Sequence, residues 1–420
     1  MKPRALYLHV PFCKAKCLYC DFDSRALTGC ALQDAIDEYC KRLFDQVDAY
    51  GRAGDLSEIE TIYIGGGTPS LLGDRLVELV GLVLAYCEPF EFTCEANPDS
   101  LTLDLARALR SAGVTRISLG IQSLNAGELK AIGRIHSAEQ ATLAVARAKA
   151  FGFSTSCDVM CGLPGQTLDT FAETLRSLVA LNPDHMSVYP LQIEERTPLA
   201  RMEDACEVEI PDEDFQAQCM DLAAALLEDA GYGRYEVASY AKPGHRCRHN
   251  IAYWTGVPYL GIGRSAASMC TLGNADIDGF GEVEGDSMGS GDGGIASSVS
   301  FVSKVLACAA PPQRALLRTG FRMRVKQLDD EGEQFEIEGL SPREAMAEDL
   351  MLACRMTDGI SPDLLERACF AIDADELESA CKRAVERGLA VELGGGLVPT
   401  HMGWLEGNEL FGIFWDLAEE

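Results

Sequence analysis

Six strand-like runs mark the first half of the chain: Leu6–Val10, Thr61–Ile64, Phe92–Glu95, Arg116–Leu119, Thr155–Met160 and Met186–Leu191. Between them apolar positions recur at helical spacing, over Asp34–Ala49, Leu71–Tyr86, Thr102–Ala112, Ala138–Ala150 and Thr167–Leu181. Gly113 stands where a helix C-cap is wanted, just before the next strand. Alternating strand and helix predict a parallel sheet with crossover helices. About six such units precede residue 200, so the predicted α/β fold is an incomplete (β/α)6 barrel. No internal repeat is visible.

The pattern changes after residue 240. Residues 279–300 are rich in Gly, Ser and Asp and read as a flexible loop. Ser341-Pro342 reads as an N-cap followed by proline in the first turn, opening a helix that continues to about Met356. Two shorter helices are predicted over Pro362–Cys369 and Ala374–Glu386, then a hairpin of Leu389–Leu393 and Leu397–Thr400. Helices followed by a hairpin predict a small winged-helix-like α+β domain. The expected division is therefore a barrel over 1–240, a segment over 241–325 and a C-terminal domain over 326–420.

Such domains often bind DNA, and charge speaks against that here. Residues 341–420 hold 6 basic and 17 acidic residues, a net of −11, and the whole chain carries −29. A phosphate backbone would be repelled. No run is apolar enough to span a membrane. The first twenty residues lack the features of an export signal, so a cytoplasmic location is expected. In that setting the seventeen cysteines are expected as thiols or ligands rather than disulfides.

Three of them have ligand spacing. Cys13, Cys17 and Cys20 form CxxxCxxC directly after the first strand, which Pro11 ends. Three close thiolates can hold three irons of a cubane cluster and leave the fourth iron open. A zinc site would want a fourth Cys or His at familiar spacing. The other unusual residues follow the later strands, where a barrel carries its functional groups. They are Gly65-Gly66-Gly67-Thr68-Pro69-Ser70, Glu95-Ala96-Asn97-Pro98, Gly120-Ile121-Gln122-Ser123, and Asp158 ahead of Gly162-Leu163-Pro164-Gly165-Gln166.

CxxxCxxC with these rim residues resembles the radical S-adenosylmethionine (radical SAM) superfamily. The resemblance implies a [4Fe–4S] cluster on Cys13, Cys17 and Cys20 with SAM on the open iron, and an electron donor for the cluster. It implies that Gly66, Gly67 and Thr68 meet the SAM amino group. Glu95, Gln122 and Asp158 match positions holding its ribose and amino-acid parts. Arg134 matches an arginine that pairs with its carboxylate, a pairing that guanidinium geometry suits. Tyr7 matches a tyrosine near the methionine moiety. His136 has no clear role.

Within the superfamily the chain resembles the branch of oxygen-independent coproporphyrinogen III dehydrogenases and HemW-type haem chaperones, from about residue 4 to 270. The dehydrogenase motif continues to a fourth cysteine where this chain has Phe22. The run His249-Asn250-Ile251-Ala252-Tyr253-Trp254 resembles the chaperones' haem motif, HNxxYW. Only twelve residues precede Cys13, whereas the dehydrogenases carry an N-terminal extension. The implied function is haem binding near His249, with Cys247 as an alternative ligand, and transfer of haem to an acceptor protein. The alternatives are radical-driven decarboxylation of coproporphyrinogen III and a non-catalytic scaffold. Arg264-Ser265, after Gly261-Ile262-Gly263, departs from the small residues expected there.

Overall fold

A computed structural model describes residues 2–271, 300–308 and 322–419. The strands, in chain order, are β1 (Ala5–Val10), β2 (Phe12–Cys13), β3 (Arg25–Ala26), β4 (Thr61–Gly66), β5 (Glu91–Ala96), β6 (Arg116–Gln122), β7 (Ser154–Cys161) and β8 (His185–Pro190). They continue with β9 (Gly233–Arg234), β10 (Ser239–Ala241), β11 (Tyr259–Ile262), β12 (Ala267–Thr271), β13 (Arg322–Gln327), β14 (Phe335–Leu340), β15 (Ala390–Leu393) and β16 (Gly396–Pro399). The six predicted strands are β1 and β4 to β8, parallel and adjacent in that order.

The sheet is larger than predicted. β11 adds in parallel to β1, and β12, β13 and β14 extend that edge antiparallel. β10 and β9 extend the β8 edge. The order runs from β14 to β9 without closing, so the barrel is incomplete. The divisions at 240/241 and 325/326 fall inside this sheet, because β10 spans the first and β13 the second. The predicted loop at 279–300 lies outside the described residues but for Ser300.

Side-chain alternation explains the sheet's two faces. One face is apolar: Leu6, Leu8, Ile62, Ile64, Phe92, Cys94, Ile117, Leu119, Cys157, Val159, Met186 and Val188 are buried in one core. The amphipathic helices Gly29–Ala53, Asp74–Leu84, Leu103–Ala112, Ala138–Ala150 and Leu168–Ala180 contribute their buried faces to that core. Gly113 caps the third of these at φ 116°. A further helix, Glu213–Asp229, caps its start with Asp212 and was not anticipated. The alternate positions on the same strands are polar: Tyr63, Glu95, Arg116, Ser118, Ser156, Asp158, His185 and Ser187. Burying so many polar groups is costly unless they pair with each other or a ligand.

The C-terminal part follows the predicted order. Helices Pro342–Ala353, Pro362–Ala368 and Ala374–Glu386 precede the β15–β16 hairpin, and helices His401–Leu405 and Gly407–Trp415 follow it. Ser341 closes a capping box with Glu344. These elements form a second buried cluster around Leu350, Ala380, Leu410 and Phe414. Arg322 of β13 joins the two parts. It is almost fully buried and donates through Nη2 to both Asp349 oxygens (2.7 and 2.9 Å) and through Nη1 to Glu348 Oε2 (2.6 Å). Arg322→Ala leaves the largely buried Asp349 without its ion pair and Glu348 with Arg324 alone (2.9 Å), so urea denaturation is expected to show a loss of about 3 kcal/mol. No helix among the described residues is long and apolar enough to cross a membrane.

Candidate functional site

The cysteine loop leaves β2 and returns at β3, which pair in parallel with each other. The end of β4 holds it from beneath. Gly67 N–H donates to Val10 O and Thr68 N–H to Phe12 O, both at 2.7 Å. A Cβ on Gly67 would lie 2.5 Å from Phe12 O, and Gly66 has φ 111°. The glycines thus let β4 lie against the loop as well as leave room for a ligand. On the loop's far side, Arg264 Nε and Ser265 Oγ each donate to Asp23 Oδ2 at 2.7 Å. The departure at Arg264 is a tether for this loop.

The three thiols, half-exposed, line one cavity of about 440 Å3. Thr68 Oγ1 donates to Cys13 Sγ (3.7 Å) and Arg134 Nη1 to Cys17 Sγ (3.5 Å). Among the described residues no three His, Cys, Asp or Glu groups converge on a point that a single ion could occupy. A cubane offers its irons at separate corners, one to each thiolate, so its three cysteines need not converge on one point. Arg134 also reaches Asn97 Oδ1 (3.1 Å) and Gly120 O, while its buried Nε has no partner. That orphaned donor beside the cysteines fits a ligand carboxylate on the open iron. The residues present therefore fit both the cluster and SAM.

The same cavity is lined by Phe22, Gly66, Gly67, Thr68, Glu95, Gln122, Arg134 and Asp158. Glu95 Oε1 accepts from Tyr63 Oη (2.7 Å) and Oε2 from Gly66 N–H (3.2 Å). Burial, with Asp158 adding to it, pushes the Glu95 carboxyl up to about 7, against the pull of those two donors. Asp158 is also raised, by burial, although Ser187 and Ser118 donate to it, the latter at 3.1 Å. Gln122 sits at φ 66°, a conformation side chains rarely adopt.

Two expected residues stand elsewhere. Tyr7 lies behind the cavity wall, stacked on Tyr63 with its hydroxyl 3.0 Å from His9 Nδ1. His249 is beneath the cavity, 1% exposed, with Nδ1 3.0 Å from Thr61 Oγ1 and Nε2 3.1 Å from Tyr253 Oη. Burial lowers its pKa to about 3. A haem iron could reach His249 only if one of those contacts broke and the helix Arg248–Trp254 moved. Cys247 does line the cavity, but burial pushes its thiol up to about 12, so it is not a ready thiolate. Tyr253 packs edge-on against His249 and Tyr259, and Trp254 lies under Arg355 of the C-terminal part. His136 is buried, its Nε2 3.1 Å from Ile121 O.

The lower cavity was not foreseen. Arg116, Ser118, Ser156, His185, Ser187 and Asn250 line it. Its signal in the sequence is the alternate polar positions Arg116 and Ser118 of β6, Ser154, Ser156 and Asp158 of β7, and His185 and Ser187 of β8, where fully buried parallel strands run apolar.

Residues 7–178 match the radical SAM superfamily. The haem chaperone HemW of Escherichia coli (strain K12) is 38% identical over 282 residues, covering 66% of this chain and 73% of that protein. HemW of Bacillus subtilis (strain 168) is 28% identical over 419 residues, covering 98% and 99%. The solved coproporphyrinogen III oxidase HemN of Escherichia coli, a radical SAM enzyme, superposes with a TM-score of 0.72 over 98% of this chain and 90% of its own, at 19% identity. That last likeness is one of fold.

Proposed function

The chain belongs to the HemW family of haem chaperones within the radical SAM superfamily, and from that membership we propose that it binds haem alongside a [4Fe–4S] cluster and SAM and passes the haem to an acceptor protein. The observation that carries this reading is kinship to HemW joined to a three-thiol site whose next motif position is Phe22, 65% exposed, not a cysteine. An electron donor for the cluster belongs to the same proposal.

When bound, the cluster supplies an electron to SAM. The chain's own residues bind and orient. Cys13, Cys17 and Cys20 hold the irons. Arg134 offers Nε to the SAM carboxylate, and Gly66, Gly67 and Thr68 give the amino group a close backbone approach. Gln122 and Asp158 meet the remaining polar parts, and Glu95 presents a carboxylate to a ligand that carries positive charge. Tyr7 acts from behind, by packing on Tyr63, which in turn donates to Glu95. His249 serves haem binding by seating the helix Arg248–Trp254 under the cavity.

Glu95 makes SAM binding pH-dependent. Its carboxyl titrates near 7, so SAM affinity in calorimetry is expected to fall as pH drops from 8 to 6. Stability should move the opposite way. The folded pKa lies above the unfolded value of 4.5, so the folded state holds the extra proton between 4.5 and 7, and stability declines as pH rises through that window. Glu95→Gln should flatten both profiles and weaken SAM most at pH 8, approaching wild type as Glu95 protonates toward pH 6. A wild-type affinity that does not change with pH would remove Glu95 from the SAM site.

The function itself is tested by anaerobic haem titration of the cluster-loaded protein, followed by mixing with the apo form of a haem protein. Near-stoichiometric binding and transfer faster than from free haem are expected. Absence of specific binding overturns the reading.

A further inference from the structure

Three cations line this cavity: Lys16, on the cysteine loop, donates to Phe22 O, and two arginines stand at opposite ends of one strand. Arg134 docks on Gly120 near the top of β6, and Arg116 begins that strand. Four residues of strand separate these levels by roughly 13 Å. One SAM carboxylate cannot serve both. Arg116 is 3% exposed, and its hydrogen bonds are two long ones from Nη1, to Ser154 Oγ (3.4 Å) and His245 O (3.2 Å). Among the described residues no acceptor takes its other N–H groups, and no carboxylate stands within ion-pair distance.

The carboxylates nearby are engaged. Glu91 accepts from His249 N–H (2.9 Å) and Arg248 N–H (3.0 Å), closing the start of the helix Arg248–Trp254. Asp158 and Glu95 accept from Ser118, Ser187, Tyr63 and Gly66. His185 is held between Ser156 and Tyr235, its pKa driven well below the usual value by burial and then by Arg116, so it stays neutral. Asn250 comes from the helix below. It lines the cavity, and its side-chain amide makes no hydrogen bond among the described residues. A buried guanidinium without an ion pair, sharing its cavity with a free amide, wants an anion with two acceptor oxygens.

We propose that Arg116 and Asn250 form a carboxylate subsite at the floor of the cavity, separate from the SAM site and taking the acid group of a second ligand. The assignment gives the HNxxYW helix two tasks: His249 seats it, and Asn250 faces the ligand. The subsite goes beyond the haem reading. Its carboxylate comes either from a porphyrin propionate or from a small free acid.

The test uses the full, cluster-loaded chain as wild type, Arg116→Gln and Asn250→Ala. Probes are haem, haem dimethyl ester and sodium propionate, with sodium chloride as the ionic control. If the source is a porphyrin, wild type binds haem roughly tenfold or more tighter than the diester, and both variants lose that preference. If the source is a small acid, propionate raises the wild-type unfolding temperature saturably, but not that of the variants, even where haem and diester bind alike or not at all. The subsite is overturned if no carboxylate probe separates wild type from the variants, whether or not haem binds. It is also overturned if Arg116→Gln weakens haem and diester equally, since that outcome assigns the guanidinium to packing. Should Arg116→Gln not fold, Asn250→Ala, at a half-buried position, decides alone.

Discussion

Cys17→Ala is expected to abolish iron–sulfur loading, with iron per chain falling to the background of an unreconstituted sample and the cluster's visible absorption lost. A cubane held by three thiolates and an exchangeable ligand does not survive with two. Cys17 is also the thiol that Arg134 touches, so the cluster and the expected SAM carboxylate site fail together. SAM affinity should drop by more than a hundredfold, because its amino and carboxylate groups lose the open iron. The fold should persist, since the loop owes its place to backbone bonds with β4 and to the Asp23 tether rather than to its sulfurs. The specificity lies in the controls. Cys157, Cys161 and Cys219 are buried, and burial pushes their thiols to about 11 or higher, so they behave as small apolar side chains. Cys219→Ala should lose some stability and no iron. Normal iron content in Cys17→Ala would sink the cluster assignment.

The barrel was legible because its signals are local. Apolar residues facing the helices at every second strand position and caps such as Gly113 and Ser341 act over a few residues, so six strands and most of their helices follow from spacing. That the cysteine loop and the rim residues would share one cavity was legible for a related reason: each lies in or just past the last half of its own strand, and a barrel gathers strand ends. What spacing cannot show is partnership over distance. β9 and β10 are too short to register as runs, and β11 to β14 join the sheet through contacts between residues far apart in the chain. The HNxxYW run illustrates the limit. Read alone, its imidazole and two aromatic rings look like a haem platform. In the fold the imidazole meets Thr61, 188 residues away, and the helix start meets Glu91, 158 residues from His249. Those partners turn the histidine inward and leave Asn250 facing the cavity.

His249→Ala tests that distinction directly. Removing the ring leaves a hole beneath Tyr63, which it stacks on at 5.3 Å between centroids, and leaves Thr61 Oγ1 and Tyr253 Oη without their partner. Lost packing plus stranded hydroxyls should cost about 4 kcal/mol in urea denaturation. The wild-type histidine is neutral in the fold, with a pKa near 3 against 6.5 when unfolded. Its contribution is therefore complete above about pH 6.5 and is lost as pH falls toward 3, because the unfolded chain takes the proton first. His249→Ala should remove that acid sensitivity. Haem affinity should fall too, but as a consequence of the loosened helix, and this separates seating from ligation. If His249 seats the helix, the visible and electron paramagnetic resonance spectra of bound haem keep their wild-type form in the variant, at lower occupancy. His249→Gln, which can still bridge Thr61 and Tyr253, should recover part of both stability and occupancy. A wild-type haem spectrum typical of imidazole ligation that vanishes in both variants would place the iron on His249, and the helix Arg248–Trp254 would then have to leave the barrel floor to bind haem.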